Sequence, residues 1–71
     1  MEEIVIRDEF IKLGQALKLA GAVDSGVDAK MYIQDGAVSV NGEVEVRRGR
    51  KLYPGDIVDF DGQTYQIFSL E

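Results

Sequence analysis

In the run Ser25-Gly26-Val27-Asp28-Ala29-Lys30-Met31-Tyr32-Ile33-Gln34-Asp35-Gly36-Ala37-Val38-Ser39-Val40-Asn41-Gly42 the hydrophobic period changes partway along, from that of a helix to that of a strand. Ser25 followed by Asp28 three residues later is a Ser-x-x-Asp variant of the capping box, which opens a helix. The spacing predicts that helix from about Val27 to Asp35, ending at Gly36. Ala29, Tyr32 and Ile33 share one face, Lys30 and Gln34 another, and Val27 and Met31 fall off the apolar side. After Gly36 the period becomes two. Ala37–Val40 alternates, Asn41-Gly42 is a two-residue hairpin signal, and Glu43–Val46 alternates again.

Upstream, Phe10, Leu13, Leu17 and Ala20 recur at helical spacing as one buried stripe, with Lys12, Gln15 and Lys18 on the opposite side. Asp8 is the expected N-cap of that first helix and Gly21 its end. Glu2–Ile6 is rich in β-branched residues and reads as a short strand. Downstream, Tyr53-Pro54-Gly55-Asp56 is a tight turn. Ile57–Phe60 and Gln63–Phe68 are two further strands joined by the turn Asp61-Gly62. The expected fold class is α+β: two packed helices followed by a small antiparallel sheet around one core.

Length and composition bound the function. A chain of 71 residues fits a single domain over residues 1–71 with little room for a deep cleft. It has no cysteine and no histidine. That excludes a thiolate zinc site, a cysteine nucleophile and the commonest general base. No nucleophile–base pair or phosphate-binding glycine loop is visible, so an enzyme is not expected and no cofactor or metal is implied. No stretch approaches a membrane span, and the acidic start Met1-Glu2-Glu3 lacks the basic region of a secretory signal. A cytoplasmic location is the expectation.

The formal charge of −5 is unevenly laid out. Residues 1–11 carry −3, residues 12–51 carry +2 and residues 52–71 carry −4. Within the basic middle, Arg47-Arg48-Gly49-Arg50-Lys51 places four cations in five residues. A charge run is often only a solvated loop. Here the cations repel one another, and the phosphates of a polyanion would reward their gathering through counterion release. Of the tyrosines, Tyr53 beside this loop is the one placed to stack on a base, whereas Tyr32 lies on the core-facing arc of its helix.

Leu17-x-x-x-Gly21, Ser25-Gly26-x-x-Ala29-Lys30-x-Tyr32-Ile33 and Gly36-x-Val38-x-Val40-Asn41-Gly42, with Tyr53-Pro54-Gly55-Asp56 downstream, resemble the S-four RNA-binding domain. Leu17-Lys18-Leu19, Ser25-Gly26 and the basic loop are similar to its small stand-alone bacterial members. The resemblance covers roughly residues 12–60. It implies the alpha-L arrangement of helices and sheet, and binding of structured RNA, commonly ribosomal or transfer RNA. Carried over residue by residue, it implies RNA contacts from Lys12 and Lys18 on the first helix and from Ser25, Gly26 and Lys30 on the second. Arg47, Arg48 and Lys51 follow on the loop, with Arg50 added on its chemistry. Lys12 and Gly14 stand where many members have Arg and Asp, and Gly26 where many have Arg. The electrostatic work thereby shifts toward the 47–51 loop.

The function expected is a non-catalytic RNA-binding module acting as a monomer on ribosomal RNA or an assembling ribosomal subunit. Ribosomal proteins would be accompanying partners; no membrane and no small-molecule substrate are involved. The alternative is a small acidic protein–protein interaction adaptor whose working surface is the −7 shared by the two ends.

Overall fold

Two strands precede the helices. In the computed structural model, which describes residues 1–70, the order is β1 (Glu2–Ile6), β2 (Ile11–Lys12), α1 (Leu13–Leu19), α2 (Gly26–Gln34), β3 (Val38–Val40), β4 (Glu43–Val44), β5 (Lys51–Leu52), β6 (Ile57–Phe60) and β7 (Gln63–Ser69). The α+β class and the two packed helices match the expectation, but the sheet does not simply follow them. Nor is it wholly antiparallel. Its five strands run β1-β7-β6-β3-β4, and β1 pairs with β7 in parallel, Ile4 facing Ile67. The remaining ladders are antiparallel, with Val40 facing Val58 and Phe60 facing Gln63. This pairing joins the two acidic ends of the chain.

Local signals explain most of the elements. Ser25 caps α2 as its spacing implies, its Oγ accepting from the Asp28 amide at 3.2 Å. Both helices end in paired bonds that satisfy their last carbonyls: Ala22 to Leu17 and Gly21 to Lys18, then Ala37 to Tyr32 and Gly36 to Ile33. The two hairpin turns need positive φ at both central residues, and Asn41 (52°), Gly42 (86°), Asp61 (52°) and Gly62 (78°) supply it.

The core forms between the helices and one face of the sheet. Leu13, Ala16 and Leu17 from α1 and Ala29 and Ile33 from α2 meet Ile4, Ile67, Val58, Val38 and Val40. Leu52 is also fully buried, so the short β5 is anchored to this core.

Three expectations about local structure are corrected. Asp8 caps nothing, because α1 begins five residues later, after Lys12, in extended backbone without a side-chain cap. Phe10 therefore lies outside α1. The chain at Ile11–Lys12 instead pairs with Lys51–Leu52 in a separate two-stranded ribbon. Helical spacing at Phe10 is a coincidence of period, since a ladder to residues forty positions away leaves no local trace. Tyr32 is exposed rather than core-facing, although its ring rests on Phe60 with centroids 5.1 Å apart.

Candidate nucleic-acid interface

The basic loop is built into the start of α1. With no side-chain cap there, the Leu13 amide donates to the Arg50 carbonyl at 2.9 Å and the Gly14 amide to the Arg48 carbonyl at 3.0 Å. The loop backbone thus satisfies two of the helix's otherwise unpaired amides. This docking holds Arg48 and Gly49 beside Lys12. Gly14 sits close behind them, and a Cβ at that position would lie 3.6 Å from both the Cβ and the carbonyl oxygen of Arg48.

An open cleft of about 380 Å³ results, lined by Lys12, Gly14, Gln15, Lys18, Gly26, Ala29, Arg48 and Gly49. It brings together four of the nine residues singled out from sequence: Lys12, Lys18, Gly26 and Arg48. None of its lining residues is acidic. Gln15 and Lys18, three apart on α1, project from the same helical face. Across the cleft, Gly26 is the first residue of α2, where the positive end of the helix dipole and the first backbone amides lie. Arg48, Lys12 and Lys18 are all exposed; Lys12, at the N-cap of α1, and Lys18 come from one continuous stretch, and Arg48 reaches the cleft from the distant loop. Their convergence depends on tertiary structure.

The other five residues lie elsewhere. Ser25 serves as the cap of α2, next to the cleft in sequence. Lys30 is exposed on α2 and does not line the cleft. Lys51 leans over the Phe10 ring, its Nζ 4.7 Å from the centroid. Arg47 and Arg50 are tied to a residue that the sequence reading missed, Glu45.

Glu45 is the one buried charged side chain among the described residues. Its Oε2 accepts from the Arg47 amide and Nε, each at 3.0 Å, and its Oε1 accepts from Arg47 Nη2 at 2.9 Å and Arg50 Nη1 at 3.2 Å. The Arg47 guanidinium, with further bonds from the Arg47 amide and Arg50, outweighs the effect of burial and holds the Glu45 carboxyl down at about 2. The same contact raises the Arg47 guanidinium further above its ordinary value. Two of the four loop cations, Arg47 and Arg50, are therefore paired with a carboxylate. One carboxylate set among them leaves the 45–51 segment at +3 and folds its backbone. Periodicity gave no sign of this, because Glu45 alternates with Val44 and Val46 just as the exposed Glu43 does. The available signal was electrostatic: a run of four cations needs a counter-charge, and Glu45 is the acid next to it.

A sequence model of the S4 domain matches residues 4–68. The chain belongs to the S4 domain family. Over 59 residues it is 51% identical to a Bacillus subtilis protein named probable ribosome maturation protein RlbA, covering 83% of each chain. Over 57 residues it is 40% identical to the putative RNA-binding protein YbcJ of Escherichia coli, covering 80% of this chain and 81% of that one. The solution structure of E. coli YbcJ, described as revealing an alpha-L motif involved in RNA binding, matches the fold with a TM-score of 0.73. That match is at 35% identity and covers 96% of this chain and 87% of YbcJ. Among the described residues, no helix is long and apolar enough to cross a membrane.

Proposed function

We propose that this chain is a non-catalytic RNA-binding protein of the cytoplasm that recognises structured ribosomal RNA in an assembling subunit. The observation that carries this reading is the cleft in which Lys12, Lys18 and Arg48 converge on the N-terminus of α2 with no acidic lining residue. Phosphates bind in it through the three cations and the first amides of α2, so that recognition is of backbone shape more than of base sequence. Glu45 keeps the loop in the conformation that presents Arg48. The family membership, and relatives named for RNA binding and ribosome maturation, support the same reading.

The test is fluorescence-polarisation binding to ribosomal RNA fragments, beside a double-stranded DNA control, with the wild-type chain and a Lys12→Gln/Lys18→Gln/Arg48→Gln variant. All three side chains are exposed, so the variant keeps its thermal unfolding profile. The wild type binds RNA in preference to DNA, and the variant binds it at least about tenfold more weakly at low salt. Equal RNA affinity of the two proteins overturns the assignment of the cleft. Absence of RNA binding by the wild type overturns the function.

A further inference from the structure

The β2–β5 ribbon has an outward face whose composition the cleft does not use. Ile11 is paired with Leu52 and Lys12 with Lys51. Directly opposed residues of an antiparallel pair project to the same side, and successive residues alternate sides. Leu52 is fully buried and Ile11 packs on the core, so that pair faces inward. Lys12 and Lys51 face outward. The same alternation brings Phe10 and Tyr53 to the outward side, and their rings meet there with centroids 6.1 Å apart at a tilt of 49°. Lys51 Nζ lies over the Phe10 ring.

Two aromatic rings and two lysines thus share one small surface. Lysines placed directly opposite each other repel, and an anion between them relieves that repulsion. The position of Tyr53 is fixed: its amide donates to Asp56 Oδ2 at 2.8 Å, Pro54 follows it, and its ring meets that of Phe10 at a tilt. Even so, the residue stays 46% exposed. Lys12 belongs to both this surface and the cleft, which makes the two continuous.

We propose that this face is a second RNA contact, a seat for one unpaired base. The base stacks on Tyr53, and its adjoining phosphate is held by Lys12 and Lys51. Stacking on an aromatic ring requires an unstacked base and therefore selects loops, bulges or ends over uninterrupted helix. The inference rests on the RNA-binding reading above and adds a preference that the cleft alone does not confer.

The experiment compares two hairpin RNAs of identical stem, one with a bulged fluorescent adenine analogue and one fully paired through the same position. Tyr53→Leu lowers affinity for the bulged RNA by roughly five- to a hundredfold and changes affinity for the paired RNA by no more than about twofold. Tyr53→Phe preserves both affinities, and the analogue's quenching on binding is lost only in Tyr53→Leu. Equal weakening of both RNAs by Tyr53→Leu, or of neither, overturns the base seat while leaving the cleft reading intact. If the wild type binds neither RNA, the RNA-binding reading fails and the base seat falls with it.

Discussion

Glu45 grips the Arg47 guanidinium with both carboxylate oxygens, at 3.0 Å to Nε and 2.9 Å to Nη2, while sitting two residues before it in the chain. Paired bonds in this fork geometry are among the stronger polar contacts available to a protein. Because the Arg47 amide and the partly buried Arg50 share the same carboxylate, its removal breaks all four of these hydrogen bonds, and only the exposed Arg47 guanidinium regains water freely. Glu45→Ala is expected to destabilise the fold by about 1–3 kcal/mol in chemical denaturation. It also weakens RNA binding although it makes the loop more positive. An increase in RNA affinity would show that charge, and not loop geometry, governs the contact.

The same pair sets a pH dependence. A carboxyl group held near 2, against an ordinary value of 4.5, contributes its full stabilisation above pH 4.5. As the pH falls from 4.5 toward 2 the unfolded chain takes up a proton that the folded chain resists, and the contribution is lost. The stability gap between wild type and Glu45→Gln should be constant above pH 4.5 and close between 4.5 and 2. Denaturant unfolding at stepped pH measures it, and a gap that does not change with pH contradicts the assignment.

Asn41 joins two turns. Its backbone sits at φ 52°, its Nδ2 donates to Asp56 Oδ1 at 3.1 Å, and its Oδ1 accepts from the Ile57 amide at 2.9 Å. Asn41→Ala loses both bonds and keeps a strained backbone, so a cost of about 1–3 kcal/mol is expected. Asn41→Asp retains the acceptor but faces Asp56, and should recover only part of the loss. Thermal unfolding of the two variants distinguishes these outcomes.

Leu52 fastens the β2–β5 ribbon to the core through a side chain with no solvent exposure. Leu52→Ala is expected to cost about 2–5 kcal/mol. Total stability for 71 residues is on the order of 4–10 kcal/mol, so the variant should be partly unfolded at moderate temperature. Its denaturation midpoint, compared with that of Leu19→Ala on the exposed side of α1, measures this difference.

Elements whose cause is local could be read directly from the sequence. Ser25 with Asp28, Asn41-Gly42 and Asp61-Gly62 are all short-range hydrogen-bond or dihedral requirements, and each stands where its spacing puts it. What could not be read is non-local. The parallel pairing of β1 with β7 and the ribbon that draws Phe10 out of the first helix both join residues far apart in sequence. The interface divides in the same way. Lys12, Lys18, Gly26 and Arg48 were nameable as residue types, and a family resemblance supplied the expectation that they act together. Glu45 escaped because burial of a charge depends on what folds over it.

The proposed role of the cations gathered at the cleft and its ribbon is to bind RNA phosphates. Its most direct measurement is the dependence of RNA affinity on salt, for the wild type and for Arg48→Gln. With Lys12, Lys18, Arg48 and Lys51 available and Arg47 and Arg50 shared with Glu45, the expected log–log slope is about −2 to −4. Arg48→Gln should make it shallower by about one. A wild-type slope near zero, or a slope unmoved by the substitution, would rule out phosphate capture by these cations.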